Sequence, residues 1–216
     1  MPSLGLGIMA VALRGPPMVA APAVSGFDPS FKAANMVLSN GNRTVGTTNA
    51  NSGASGFTRG VLGYQTGKRY MEWRVDGLLR TVAVGIVAAG YAFGPNDNPG
   101  TGTDARAGFG WYSPGFYVTS GHFSQNPLPS FVAGDILGLA LDLDANAGQG
   151  ALWFSKNGVW NEGSPTEGTG GNIPAAATYS AVVPFALVEQ GSDRVTAHFS
   201  ATDFAYAPPF NFSAWG

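Results

Sequence analysis

RYMEWRVD (Arg69–Asp76) reads as a strand with one face in a core: Met71, Trp73 and Val75 fall on one side, Tyr70, Glu72 and Arg74 on the other. That period of two belongs to a pleated strand, not to a helix. Working outward, Thr81–Ala89 (TVAVGIVAA) is continuously apolar and rich in β-branched residues, so it predicts a central strand covered on both faces. Asp135–Asp144 (DILGLALDLD) alternates again, with Leu137, Leu139, Leu141 and Leu143 sharing a face. Ala151–Ser155, the turn Lys156-Asn157-Gly158 and Val159-Trp160 predict a hairpin, and FGWYSPGFYVTSG predicts another with Ser113-Pro114-Gly115 at its tip. Met36–Leu38 precedes Asn40-Gly41, the pair that supplies positive φ angles to a two-residue hairpin. Val182–Val188 and Arg194–Phe199 add two more strands, and Asn161–Asn172 reads as a Gly/Ser/Thr/Pro-rich loop. No helical stripe of useful length and no internal repeat appears.

Composition agrees with an all-β chain of two packed antiparallel sheets. Of 216 residues, 44% are hydrophobic and 12% aromatic, only 11% are charged, and 32 are glycine. That balance favours strands joined by tight turns over helices. The size suffices for a core without covalent staples, and the absence of cysteine excludes disulfides, thiolate metal sites and thiol nucleophiles. A net charge of −2 with scattered Lys and Arg argues against a nucleic-acid partner. No apolar run reaches the ~18 residues of a membrane helix, so membrane insertion is not expected.

The opening segment, residues 1–26, differs in character: it is rich in Gly, Pro and Ala and carries one charge, Arg14. Its LGLGIMAVAL run resembles a secretory h-region, but no basic residue precedes it. We read it as an extended arm, with Leu4, Leu6, Ile8, Met9, Val11 and Leu13 as the anchor that packs on a neighbouring subunit or larger assembly, because such a tail orders only when something ties it down. The domain organisation expected is an arm over 1–26 and a sandwich over 27–216.

Seven pieces in order carry a family resemblance: GKRYMEWRVDG (67–77), AVGIV (83–87), GWYS (110–113), GDILGLALDLD (134–144), ALWFSKNGVW (151–160), VPFALV (183–188) and the closing FAYAPPFNFSAW (204–215). Together they resemble a SPRY domain, which implies a concanavalin-like (jelly-roll) sandwich whose ligand contacts come from loops at one end. The lead-in FDPSFKAANMVLSNGNRTV and the closing segment resemble SPRY-containing proteins of tailed bacteriophages and prophages. That resemblance implies a virion structural component: a head fibre, decoration protein or tail-fibre part.

Catalytic groupings are weak by comparison. Asp142, Asp144 and Asn146 begin a calcium-loop pattern, but its sixth and twelfth positions hold Ala147 and Trp153 where Gly and Glu are required, so they read as strand end and turn. Glu72, Asp135, Glu189 and Asp193 are available for glycoside hydrolysis without a compact acidic strand motif. Neither His122 nor His198 stands near a nucleophile-elbow sequence, and His198 reads as an ordinary sheet residue. No catalytic residue, cofactor or resident metal is assigned. Asp97 and Asp104 belong to the long connection Gly90–Gly110, where solvation is the simpler role.

Binding has better material. Tyr91, Trp111, His122 and Trp160 stand at strand–loop junctions, open to a ligand-platform or a core role, with Asn96, Asp97, Asp104 and Arg106 beside them. Aromatic faces with amide and charged groups suit a sugar ring or a peptide. By contrast Trp73, Trp153 and Phe154 sit inside strands and read as core. The expectation is a non-enzymatic module on the surface of a phage particle, oligomeric there, held to other virion proteins by its arm and presenting its loops to a host glycan or protein. Rival readings are a cementing protein that only fills a lattice position, a polysaccharide-degrading enzyme on the same fold, and an intracellular peptide-binding adaptor.

Overall fold

A computed structural model describes residues 25–50, 55–90, 108–119, 122–123, 128–172 and 181–216. The strands in chain order are β1 (Phe27–Lys32), β2 (Met36–Ser39), β3 (Thr44–Thr47), β4 (Gly56–Gly60), β5 (Lys68–Gly77), β6 (Val82–Ala88), β7 (Gly108–Tyr112), β8 (Phe116–Thr119) and β9 (His122–Phe123). There follow β10 (Ile136–Asp142), β11 (Ala151–Lys156), β12 (Val159–Trp160), β13 (Gly163–Ser164), β14 (Thr169–Gly170), β15 (Val182–Val188), β16 (Arg194–His198) and β17 (Ser213–Ala214). Among the described residues, one sheet runs β1-β4-β15-β6-β7-β8-β9 and the other β12-β11-β10-β5-β16-β3-β2, with β17 added parallel to β5. The two sheets form the antiparallel sandwich that the alternating runs predict.

The main core lies between the sheets. Met71, Trp73 and Val75 of β5, Leu137, Leu139 and Leu141 of β10, and Leu152 and Phe154 of β11 face Val82, Val84 and Ile86 of β6 and Phe109 and Trp111 of β7. Strand β6 is buried along its whole length, as a central strand should be. At Gly85 a Cβ would stand 2.0 Å from the Phe109 carbonyl oxygen, so only glycine lets β6 and β7 approach this closely. The outer face of the first sheet is apolar too, with Phe57, Val87, Val118, Phe185 and Leu187 buried there.

Turn chemistry follows the sequence with one correction. Asn157 (φ 51°) and Gly158 (φ 79°) form the expected two-residue turn between β11 and β12. Asn40-Gly41 does not make a two-residue hairpin. Ser39 pairs with Thr44, leaving a four-residue loop in which Asn40, Gly41 and Asn42 all have positive φ (53°, 64° and 64°). The stretch 161–172 is more ordered than its composition suggests: β13 and β14 pair within it, and Trp153 Nε1 donates to the Thr169 carbonyl at 2.9 Å. Ala145–Gly148 is a single turn whose Asn146 and Ala147 have positive φ, not a helix of consequence. No helix among the described residues is long and apolar enough to cross a membrane.

The closing segment is stitched across the sandwich. Trp215 donates its backbone N–H to the Tyr70 carbonyl (2.9 Å) and its indole N–H to the Leu62 carbonyl (2.9 Å). Gly216 donates to the Phe199 carbonyl and lies against Ser25, close enough that a Cβ on Gly216 would be 1.9 Å from Ser25 Oγ. Residues 204–212 fold over the outer face of the second sheet, where Tyr70, Trp153, Phe204, Phe212 and the half-buried Trp160 make a separate apolar cluster.

Asp135 holds the approach to β10. Burial opposes its charge, but hydrogen bonds from the Val132 N–H (2.8 Å) and Asn157 Nδ2 (2.8 Å), with Lys156 Nζ at 3.2 Å, keep its carboxyl below the usual carboxylate range. A depressed folded pKa stabilises the protein above the unfolded value of about 3.9, and that contribution fades as pH falls through 3.9 toward the folded value. Asp135→Asn is therefore expected to cost about 1–2 kcal/mol near neutral pH and much less at pH ~3. Urea unfolding of both proteins across that range checks the narrowing gap.

Candidate functional site

The outward face of β5 carries Tyr70, Glu72, Arg74 and Asp76, and the outward face of β16 carries Thr196 and His198. Register sets Arg74 opposite Thr196 and Glu72 opposite His198, while Thr44 of β3 stands opposite Thr196 on its other side. The closing segment covers the Tyr70–Glu72 end and leaves the Arg74–Thr196 end open. There a cleft of about 210 Å³ is lined by Asn40, Arg43, Arg74, Thr196, His198 and Asp203.

Its groups are held by their neighbours. Arg43 Nη1 pairs with Asp203 Oδ2 at 2.9 Å, and Arg43 Nε donates to the Asn40 carbonyl at 3.3 Å. Arg74 Nε pairs with Asp76 Oδ1 at 2.6 Å. Thr196 Oγ1 gives its single proton to Asp76 Oδ2, so the 2.8 Å contact between the two threonine hydroxyls runs from Thr44 to Thr196. His198 Nδ1 lies 2.6 Å from the Asp203 carbonyl, which can only accept; Nδ1 therefore carries the proton, and Nε2 of the neutral ring is an acceptor. Among the described residues, Arg74 Nη1 and Nη2, His198 Nε2 and Asp203 Oδ1 have no protein partner. Donors and acceptors thus converge unspent on one depression.

The buried carboxylates considered for catalysis are committed elsewhere. Glu72 is fully buried and accepts from Tyr70 Oη (2.8 Å) and the backbone N–H groups of Ala205 (2.6 Å) and Tyr206 (2.9 Å). Burial, and the hydrogen bond to Glu72, push the Tyr70 phenol far above its ordinary range, so it stays a donor. Asp193 accepts five backbone N–H groups, from Leu79, Arg80, Thr81, Glu189 and Gln190. Glu189 Oε1 pairs with Arg80 Nε at 2.7 Å. Asp142 pairs with Lys68 (3.0 Å) and Asp144 accepts from the Gly67 N–H (3.0 Å), so the abortive calcium pattern is a turn. Among the described residues no group of three His, Asp or Glu side chains could hold a metal ion.

Trp111 requires correction as a ligand residue. It is fully buried between the sheets, with Nε1 donating to the Pro129 carbonyl at 3.2 Å and rings of Phe131 and Phe154 at 5.2 and 5.3 Å. The pleat of β7 turns Phe109 and Trp111 inward together, so Trp111→Ala reads out core packing rather than ligand contact. Trp160 is half-buried edge-on to Tyr70 at 6.2 Å and serves the outer apolar cluster. His122 pairs through its backbone with Thr119 on the sheet-edge strand β9; its side chain lies outside the described residues. Tyr91, Asn96, Asp97, Asp104 and Arg106 also lie outside them, as do the arm residues Leu4, Leu6, Ile8, Met9, Val11 and Leu13.

No family model matches the chain, and no curated protein matches it in sequence. Solved structures do match in shape. The SPRY domain of human HERC1 superposes with a TM-score of 0.59 over 80% of this chain and 96% of that one, at 18% identity. The fold is that of SPRY domains. A second human SPRY domain matches at a TM-score of 0.56 and 19% identity, covering 81% of this chain and 97% of that one. The PSpry domain of TRIM65 gives 0.56 and 18%, covering 82% and 92%. Asn40, Arg43, Arg74, Thr196 and Asp203 of this SPRY-like sandwich were not singled out from sequence. Alternation alone assigns Arg74, Thr196 and His198 to outward faces, but which strands adjoin is a property of the SPRY topology.

Proposed function

We propose that this protein is a non-enzymatic binding module with a SPRY-type sandwich, carried on the surface of a tailed-phage or prophage particle. The observation that carries the binding reading is the open cleft on the outer sheet face: its unspent donors and acceptors suit reversible recognition, while the buried acids serve as fasteners for loops. The particle context rests on the lead-in and closing segments, which resemble those of phage SPRY-containing proteins. In this reading residues 1–26 anchor the module to other virion proteins, and the exposed sandwich meets a host glycan or protein.

Two measurements test it. Quantitative mass spectrometry of purified particles should find the full-length protein and lose it when residues 1–26 are deleted. Particles lacking the protein should also adsorb less to host cells, and purified protein should release no shortened products from host polysaccharide. Absence from particles ends the virion reading. Particles that carry the protein, adsorb normally without it and only lose stability make it a cementing protein instead.

A further inference from the structure

We infer that the cleft between β5, β16 and the loop joining β2 to β3 is a subsite for one neutral, hydroxyl-rich ring, a single sugar residue of a glycan. The inference rests on the binding-module reading and names its ligand class. Charge decides against an anion. Arg43 is matched by Asp203 and Arg74 by Asp76, at 2.9 and 2.6 Å, so neither guanidinium is left as an unpaired charge to offset the desolvation of an anion. A carboxylate or phosphate would also meet Asp203 in the lining. An apolar ligand fits no better, because all six lining side chains are polar.

A sugar hydroxyl both donates and accepts, and neighbouring hydroxyls do so in pairs. The cleft offers the matching set: Arg74 Nη1 and Nη2 and Asn40 Nδ2 as donors, His198 Nε2 and Asp203 Oδ1 as acceptors. Each is oriented by a second bond on the protein side. Arg74 is fixed through Nε, His198 through Nδ1, and Asp203 through Oδ2. The volume, about 210 Å³, falls below the ~300 Å³ of the smallest drug-sized pockets and suits one ring. So small a contact implies weak affinity, with Kd on the order of 1–10 mM per unit, made useful by many copies on one particle.

The chain has two histidines, so their imidazole NMR signals are simple reporters, with His198→Gln supplying the assignment. Methyl glucoside, methyl galactoside and N-acetylglucosamine are titrated separately into the full-length protein, with inorganic phosphate as the anionic probe. At least one sugar should move the His198 signals saturably while phosphate does not. Arg74→Met should weaken that binding roughly tenfold or more, the loss of one charged hydrogen bond. Asn40→Gly, which suits the positive φ at that position, is the second variant should Arg74→Met unfold. The inference is overturned if no sugar moves His198, if phosphate binds instead, or if the folded variants bind like the parent. Adsorption of particles with and without the protein separates the two ideas: protein-dependent adsorption without any sugar response discards the subsite alone, and adsorption that does not depend on the protein discards the module reading.

Discussion

Asp193→Ala is expected to lower the unfolding free energy by about 4 kcal/mol, a large share of the ~5–15 kcal/mol that holds a domain of this kind. The carboxylate is almost completely buried, and its oxygens divide five backbone N–H groups between them. Oδ1 takes Leu79 and Arg80 at 2.6 and 2.9 Å, and Oδ2 takes Thr81, Gln190 and Glu189 at 3.1, 2.9 and 3.3 Å. One side chain thereby fastens the connection between β5 and β6 to the turn between β15 and β16. Its removal strands donors that water reaches poorly, and each stranded donor costs energy that no new contact returns. Asp193→Asn is the sharper experiment. The shape is kept, but whichever way the amide turns, its NH2 faces N–H donors where an acceptor is needed, so a loss of about 3 kcal/mol is expected. Urea unfolding of the three proteins measures both values. An asparagine variant as stable as the parent would show that the five-donor geometry is not what stabilises this corner.

The second large effect is expected at Glu72. Glu72→Ala should also cost about 4 kcal/mol, because it leaves the Tyr70 hydroxyl and the N–H groups of Ala205 and Tyr206 facing an apolar gap. Glu72→Gln should cost less, about 1–2 kcal/mol. The Tyr70 hydroxyl can reverse to accept from an amide, so only one backbone donor is opposed. The signature is spatial as well as energetic. Hydrogen exchange should accelerate first at 204–206 and across the closing segment, while β6 and β15 keep the protection of the parent. Uniform acceleration over both sheets would mean that Glu72 supports the whole sandwich and not this segment alone.

The same residue shows where reading the sequence succeeds and where it stops. The alternation over 69–76 places Met71, Trp73 and Val75 in the core correctly, because the inward face of a strand is decided by its own side chains. It leaves Tyr70 and Glu72 on the opposite face, where solvent is the default. That default fails because a segment some 130 residues further along the chain folds back to cover them, a contact that no local pattern encodes. The apolar run at 82–88 was legible because burial on both faces leaves its own imprint: no polar position is tolerated anywhere along it. Trp111 misled for a related reason. A position near a strand end suggests exposure, yet the pleat of β7 sends that side chain between the sheets. The cleft is assembled from the loop between β2 and β3, the strands β5 and β16 and the turn after β16, so its members are scattered from Asn40 to Asp203. Their types are ordinary for a solvated sheet face, and only the register makes them neighbours.

The contact between Ser25 and Gly216 bears on how the sandwich responds to force. Load pulling these two residues apart enters at a single corner. The bonds nearest it, Gly26 to Val61, Phe27 to Asn42, Trp215 to Tyr70 and Gly216 to Phe199, take the strain one after another instead of together. Such an arrangement is expected to open from this corner before the central pair β6–β15 carries load. A sandwich gripped at both of these residues is thus expected to be a compliant element.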